Sequence, residues 1–197
     1  MSFDKQYWES KYLNDECNWD AGEITPPLEE YFNQIENKDI KILIPGCGNG
    51  YEAEYLYQSG FPNVYLLDWS ESALDNFKER VPEFPDDNLI LEDFFGHEDK
   101  YDLIIEQTFF CSIPREDRSD YAKKVYHLLK DGGKFAGLLF NHEFDSKEPP
   151  YGGNKKEYFS YFSPLFNIKT FQTAYNSIKP RAGREFFFIM QKKQIQL

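Results

Sequence analysis

Short runs of apolar residues recur along the chain, and most of them stand between stretches with helical spacing. Five such runs lie at 39–45, 63–68, 88–91, 101–106 and 133–140. Near-continuous apolar runs of this length are typical of strands buried on both faces of a parallel sheet. Helices are predicted between the runs, over 50–59, 70–80 and 116–129. The alternation predicts right-handed strand–helix–strand crossovers and a parallel sheet covered by helices on both faces.

The two ends of the chain follow other patterns. Two further strand-like runs, 166–173 and 185–191, have no helical stretch between them, so an antiparallel strand is expected to finish the sheet. Residues 1–38 predict one or two helices, the second opened by two prolines. Since no repeat or long linker divides the chain, we expect a single α/β domain. It would hold a mostly parallel seven-stranded sheet with an antiparallel C-terminal strand, with residues 39–197 as its core.

Composition and charge narrow the class of protein. The 197 residues suit one domain, and 19 Phe, 14 Tyr and 3 Trp are too many for a disordered chain. A net charge of −12 argues against binding nucleic acid or docking on an anionic membrane. No signal peptide or membrane-spanning run is visible, so a cytoplasmic protein is expected. The three cysteines lack any Cys-x-x-Cys pairing, and nothing indicates a disulfide framework or a metal site.

The most informative segment is a glycine-rich turn between the first strand and the first core helix. Gly46, Gly48 and Gly50 alternate there, and Tyr51 stands where the dinucleotide fingerprint G-x-G-x-x-G has its third glycine. Glycines at such a turn let a ligand lie against the main chain. Asp68 ends the second strand, where a carboxylate can accept both hydroxyls of a ribose. The sequence therefore predicts a nucleoside site that is not primarily a pyrophosphate cradle.

A third candidate contact follows the next strand. Asp93 could accept from an exocyclic amine there, and Phe94 and Phe95 could supply apolar surface for a base. Because ligands in open α/β sheets bind at the carboxyl ends of the strands, all three segments point to one edge of the sheet.

Together these residues resemble the class I S-adenosylmethionine-dependent methyltransferases, a Rossmann-like three-layer fold. Longer segments resemble the thiopurine S-methyltransferase family, and particularly its halide and thiol methyltransferase branch. These segments lie at 19–22, 44–51, 67–74, 101–111, 128–133, 149–151 and 181–185, in order along nearly the whole chain. The resemblance implies transfer of a methyl group from S-adenosylmethionine, with S-adenosylhomocysteine as product, to a small soft nucleophile such as a thiol, halide, thiocyanate or thiopurine-like sulfur.

The resemblance also implies site residues. The segment 1–38 would fold over the cofactor as a helical lid. The cofactor contacts would be Trp8, Tyr12, Trp19, Gly46, Gly48, Asp68, Trp69, Asp93, Phe94 and Gln107. The three lid aromatics would face the sulfonium, because cations favour an aromatic face. Gln107 stands where Tyr or Arg is commoner in relatives, which leaves the acceptor open. Phe109, Phe110 and Tyr151 are expected as walls of the acceptor pocket.

No general base stands out. A soft nucleophile needs little help from one, and His142, just beyond the fifth strand, is the best placed of the candidates. A lone His at such a place is more often structural or solvated. Cys47 and Cys111 are interpreted as small buried hydrophobes. Two alternatives stay open on the residues alone: an NAD(P)-dependent Rossmann enzyme, and a non-catalytic nucleoside-binding protein on the same scaffold. The oligomeric state is open too.

Overall fold

The computed structural model describes residues 3–194 and contains a single seven-stranded sheet within them. The strands are β1 Ile42–Pro45, β2 Val64–Asp68, β3 Leu89–Leu91, β4 Tyr101–Glu106, β5 Leu129–Phe140, β6 Phe166–Thr173 and β7 Glu185–Lys192. Their order across the sheet is β3-β2-β1-β4-β5-β7-β6. The order reverses between β1 and β4, which is the kind of switch point where α/β sheets bind ligands.

The sheet is parallel except for one strand. Strand β7 runs antiparallel to β5 on one side and to β6 on the other. The prediction of a mostly parallel seven-stranded sheet with an antiparallel C-terminal strand is confirmed. That strand inserts between β5 and β6 instead of lying at the edge, and β6 becomes the edge strand.

Helices cover both faces of the sheet. They are α1 Lys5–Leu13, α2 Pro26–Phe32, α3 Tyr51–Gln58, α4 Glu71–Arg80, α5 Arg118–Leu128 and α6 Lys155–Phe162. Alternate residues of each central strand enter different cores. Ile42 and Ile44 pack with α2, α3 and α4, whereas Leu43 packs with α5 and α6. The Rossmann-like three-layer sandwich that the sequence predicts is confirmed, and no helix of the described part of the chain is long and apolar enough to cross a membrane.

Two elements differ from the sequence predictions. Strand β5 begins at Leu129 and not at 133, and its pairing with β4 shifts register between Tyr101 and Leu103. Helix α6 was not predicted. Its N-cap is Asn154, whose side chain accepts from the Glu157 N–H at 3.0 Å. Its buried face adds Tyr158 and Phe162 to the core that it shares with α5.

Candidate active site

A cavity of about 800 Å³ opens at the carboxyl ends of β1, β2 and β4, under the N-terminal segment. The sheet side of its wall includes Gly46, Leu67, Asp68, Trp69, Glu92, Asp93, Phe94 and Phe95. The N-terminal segment contributes Phe3, Tyr7, Trp8, Tyr12 and Trp19. The third side is formed by Thr108, Phe109 and residues 111–117, together with Ser146 and 149–151. Three regions that are distant in sequence thus enclose one space.

The glycine turn after β1 is shaped by three left-handed glycines, of which the third, Gly50, precedes α3. Gly46 has φ +56° and Gly48 has φ +53°, conformations that side chains rarely adopt. A Cβ at Gly46 would overlap the ring of Phe109, and one at Gly48 would lie 2.7 Å from the Tyr12 hydroxyl. Gly46 lines the cavity, whereas Gly48 lies behind it and supports Asp68.

Asp68 ends β2 as a buried carboxylate that still faces the cavity. Its Oδ2 accepts from the Gly48 N–H at 2.9 Å, and its Oδ1 accepts from the Ser70 N–H at 2.9 Å. Burial raises the pKa of this carboxyl, and the backbone hydrogen bonds oppose that rise. Each oxygen has a second lone pair, so the carboxylate is fixed in place and can accept two further hydroxyl hydrogen bonds.

The lid aromatics meet edge to face above this turn. The ring centroids of Trp8 and Trp19 are 5.6 Å apart, and those of Tyr12 and Trp19 are 6.0 Å apart. Tyr7 and Phe3 extend the same cluster, with their centroids 4.9 Å apart. Neither residue was predicted to contact the cofactor. Tyr7 lies in α1 beside Trp8, whereas Phe3 precedes this helix, which begins at Lys5, so helical spacing could not have indicated Phe3.

Glu9 holds the lid helix α1 against the body. Its carboxylate accepts from the Ser70 hydroxyl at 2.7 Å and from the hydroxyl and N–H of Ser72 at the start of α4. Although burial works in the other direction, these hydrogen bonds keep the pKa of Glu9 below its usual value. A carboxylate at a helix N-terminus also interacts favourably with the helix dipole. Helix α1 is therefore attached directly beside the strand end that carries Asp68.

The side of the cavity beyond β3 holds the predicted base contacts. Phe94 is buried and packs edge to face on Phe109 at 5.3 Å between centroids. Asp93 is exposed, and its carboxylate accepts from the Phe95 N–H at 3.0 Å. Trp69 completes this part of the wall. Asp93, Phe94 and Trp69 thus lie together, as the resemblance implies.

The acceptor side departs from the predictions at two positions, Phe110 and Gln107. Phe109 and Tyr151 line the cavity, but Phe110 points into the core, with its ring 5.1 Å from Tyr121. Gln107 lies outside the lining, and its buried Oε1 has no hydrogen-bond partner among the described residues. The chain turns sharply at Thr108, which has φ +59°, so neighbouring side chains in this turn point to different sides.

His142 also lies outside the cavity lining. Its Nε2 is 2.7 Å from the Arg184 guanidinium, and its ring is 4.5 Å from that of Phe144. Partial burial, followed by the nearby Arg184 charge, lowers the pKa of His142. This histidine occupies a structural position beside β5 and does not approach the cavity as a base would need to.

The two buried cysteines, Cys47 and Cys111, are thiols with raised pKa values. Cys111 lines the cavity, and its thiol donates to the Thr108 carbonyl at 3.0 Å. Burial raises the pKa of Cys111 to about 12 and that of Cys47 well above its usual value, so both stay protonated thiols. Within residues 3–194, no group of three or more His, Cys, Asp and Glu side chains could hold a metal ion.

A fully buried arginine fixes the wall opposite the glycine turn. Arg118 donates to the Tyr151 carbonyl at 3.1 Å and to the Gly152 carbonyl at 2.9 Å, and it pairs with Glu157 at 3.0 Å. Its guanidinium also stacks on Phe110, 4.6 Å from the ring centroid. The sequence places Arg118 at the start of the helix predicted over 116–129, but it does not indicate that the carbonyls of a distant loop surround this side chain.

Comparison with known proteins adds the family context. The family model described as thiopurine S-methyltransferase (TPMT) matches residues 3–194. "Probable thiol methyltransferase 2" of Arabidopsis thaliana is 30% identical over 184 residues, which cover 90% of this chain and 81% of that protein. "Thiocyanate methyltransferase 1" of Brassica oleracea is also 30% identical, with the same coverage.

Solved structures agree in fold. A Burkholderia thailandensis 1,6-didemethyltoxoflavin-N1-methyltransferase with bound S-adenosylhomocysteine has a TM-score of 0.79 at 14% identity, covering 96% of this chain and 87% of that one. A magnesium protoporphyrin IX methyltransferase from Synechocystis with bound S-adenosylmethionine has a TM-score of 0.74 at 15% identity, covering 96% and 95%. At such identities the likeness concerns the fold.

Proposed function

Because the chain belongs to the thiopurine S-methyltransferase family and is an S-adenosylmethionine-dependent methyltransferase, we propose that it methylates the sulfur of a small soft nucleophile in the cavity described above. The observation that carries the proposal is the meeting of the glycine turn, Asp68 and the lid aromatics around one space of about 800 Å³. Because the chain belongs to this family, the alternative of an NAD(P)-dependent Rossmann enzyme is rejected.

The residues present fit the cofactor. Gly46 lines the cavity, so its main chain is open to a ligand there, and Gly46 and Gly48 both have left-handed conformations that side chains rarely adopt. Asp68 offers free carboxylate lone pairs for ribose hydroxyls, and Phe94 with Trp69 offers apolar surface for the base. Trp8, Tyr12 and Trp19 offer aromatic faces for a sulfonium cation.

The bound cofactor supplies an activated methyl group whose departure leaves a neutral thioether. The chain's own contribution is then alignment of the acceptor and exclusion of water. Phe109 and Tyr151 form the wall against which an acceptor would lie, and Trp8 with Trp19 closes the cavity from above. The described lining holds carboxylates but no histidine, so a carboxylate or water would take the proton of a thiol acceptor.

Charge in the lining favours an uncharged thiol within this class. Five acidic side chains line the cavity: Asp68, Glu92, Asp93, Glu116 and Asp117. Arg115 is the one base among the described lining residues, and it is already paired with Glu143 and Glu157. Such a field disfavours entry of a small anion. We therefore expect faster turnover of neutral thiols and thiopurines than of thiocyanate or iodide. As the sulfur attacks the methyl group, its S–H proton would pass to one of these lining carboxylates or to water.

The test combines binding with turnover. Calorimetry should show that S-adenosylhomocysteine binds, and that Asp68→Ala weakens this binding by about tenfold or more, since a charge-assisted hydrogen-bond pair is lost. Asp75→Ala, on the outer part of α4, serves as control and should bind as the wild type does. Methyl transfer to a panel of thiols, thiopurines, iodide and thiocyanate identifies the acceptor class.

Two results contradict the proposal. Undiminished binding by Asp68→Ala would remove the ribose role of this carboxylate. Binding of S-adenosylhomocysteine without turnover of any panel member would favour the non-catalytic alternative.

A further inference from the structure

We propose that Glu106 is the positioning residue that sets the acceptor wall of the cavity, acting through the turn that it holds after β4. The inference rests on the proposed function only in taking this wall as the place where the acceptor lies. Glu106 itself does not line the large cavity, so it acts on a ligand only through other residues. It is the last residue of β4, and its side chain is fully buried.

The carboxylate is surrounded by donors. Its Oε1 accepts from the Phe109 N–H at 2.8 Å and from the Phe110 N–H at 2.7 Å, and its Oε2 accepts from the Tyr121 hydroxyl. A buried carboxylate is costly unless such hydrogen bonds offset its desolvation. The turn explains why Glu106 is buried. Its carboxylate accepts hydrogen bonds from two backbone N–H groups of the turn, in the place of a backbone carbonyl.

The turn needs this support. Thr108 has φ +59°, and a β-branched residue in the left-handed region is strained unless its surroundings impose that conformation. Its hydroxyl donates to the Gln107 carbonyl at 2.7 Å, and its carbonyl accepts from the Cys111 thiol. The acceptor for the next two N–H groups is Glu106, so the carboxylate fixes the chain directly after the strained residue.

The turn determines which groups face the ligand. Thr108, Phe109 and Cys111 line the cavity, while Phe110 goes into the core. The Phe109 ring fills the space beside Gly46 and packs on Phe94, so its position affects both the cofactor half and the acceptor half. A shift of this turn would move the acceptor wall without changing any residue in it.

The experiment compares three variants of the full chain. Glu106→Leu removes the acceptor at similar volume. Glu106→Gln keeps Oε1 as acceptor for the two N–H groups and can donate its amide to Tyr121. Tyr121→Phe removes only the hydroxyl and keeps the core volume, so it reports on the carboxylate even if Glu106→Leu does not fold. Glu52→Gln, a buried carboxyl away from the cavity lining, is the control.

We expect Glu106→Leu to raise the acceptor KM by about tenfold and to lower kcat, since misplacement by a fraction of an ångström is costly in such sites. Glu106→Gln should stay within about threefold of the wild type, and Tyr121→Phe should raise the acceptor KM by roughly two- to fivefold. Glu52→Gln should leave both constants unchanged.

A readout independent of turnover is the rate at which Cys111 is alkylated, followed by peptide mass spectrometry. When the turn relaxes, the thiol loses its contact with the Thr108 carbonyl and should react about fivefold faster in Glu106→Leu but not in Glu106→Gln. The proposal is overturned if folded Glu106→Leu or Tyr121→Phe keeps the wild-type acceptor KM and Cys111 rate, or if Glu106→Gln loses as much as Glu106→Leu. If the wild type methylates no acceptor, the proposed function fails, and the labelling rates still decide the role of Glu106.

Discussion

Tyr12 contributes an aromatic ring and a hydroxyl to the cavity wall, and only the ring is expected to respond to the charge of a ligand. Its ring lies edge to face with Trp19, and its hydroxyl lies over the glycine turn. An aromatic face attracts a sulfonium cation by about 0.5–2 kcal/mol but gains no such energy from a neutral thioether. The ring should therefore discriminate between S-adenosylmethionine and S-adenosylhomocysteine, whereas the hydroxyl should not.

The prediction is that Tyr12→Leu weakens S-adenosylmethionine binding by roughly two- to thirtyfold more than S-adenosylhomocysteine binding. Tyr12→Phe keeps the ring and should leave the ratio of the two dissociation constants unchanged. Titration calorimetry with both ligands measures that ratio. An equal loss for both ligands in Tyr12→Leu would mean that Tyr12 only seats α1 on the core.

At the scale of elements, the attachment of α1 to α4 depends on one carboxylate. Glu9 receives hydrogen bonds from Ser70 and Ser72, and α1 carries the cavity residues Tyr7, Trp8 and Tyr12. We expect Glu9→Gln to loosen the lid, because the amide loses the charge that the helix N-terminus favours and can accept with one oxygen only.

Two measurements check this expectation. Limited proteolysis should cut Glu9→Gln faster within the segment between α1 and α2, and S-adenosylhomocysteine affinity should fall by about fivefold, an effect of roughly 1 kcal/mol. Glu16→Gln is the matched control, since Glu16 is exposed and its ion pair is with Lys11 of the same segment. Equal cleavage rates in the two variants would show that the lid is held by its aromatic contacts alone.

The elements of the sheet could be predicted because each has a local cause. The apolar runs of β1, β2 and β4 are buried on both faces, and Ser70 caps α4 by accepting from the Ala73 N–H. Helix α6 was missed because its aromatic residues gave no clear periodicity. The pair Asn154 and Glu157 at capping-box spacing was the available signal.

The site was predictable to a smaller extent. Gly46 and Asp68 follow from a turn and a strand end, which are local features of the sequence. Glu106 was a candidate base by sequence, but its role in holding the turn could not be predicted, and neither could the role of Arg118, because both depend on backbone groups that meet these side chains only in the fold. For the same reason Phe109 and Phe110, adjacent and identical in type, could not be assigned to cavity and core.

For the whole molecule, the net charge and two buried carboxyls both lower the free energy of unfolding as the pH rises. The chain carries a net charge of −12, so self-repulsion grows as the remaining carboxyls ionise. Burial raises the pKa of Glu52 to about 7 and that of Glu106 to about 7. A carboxyl with a raised pKa in the folded state stabilises that state below its unfolded value of 4.5 and loses this contribution as the pH rises through 7.

Varying the salt concentration separates surface charge repulsion from the cost of ionising a buried carboxyl, and Glu52→Gln isolates the second effect. At pH 5 the variant and the wild type should differ little in free energy of unfolding, whereas at pH 8 the variant should be more stable by about 2–3 kcal/mol, because it avoids a buried charge. Raising the ionic strength should stabilise both at pH 8 through screening of surface repulsion, but it should leave their difference in place, since a buried group is screened weakly.

Denaturant unfolding at pH 5, 6, 7 and 8, each at low and high salt, measures these differences. Glu83→Gln removes an exposed acid and changes the net charge equally, so it should follow the wild-type pH dependence. Parallel curves for Glu52→Gln and Glu83→Gln would contradict the raised pKa of Glu52 and assign the whole pH dependence to net charge. A difference in free energy of unfolding that grows between pH 5 and 8 and persists at high salt would assign the pH dependence to the buried Glu52 carboxyl of α3.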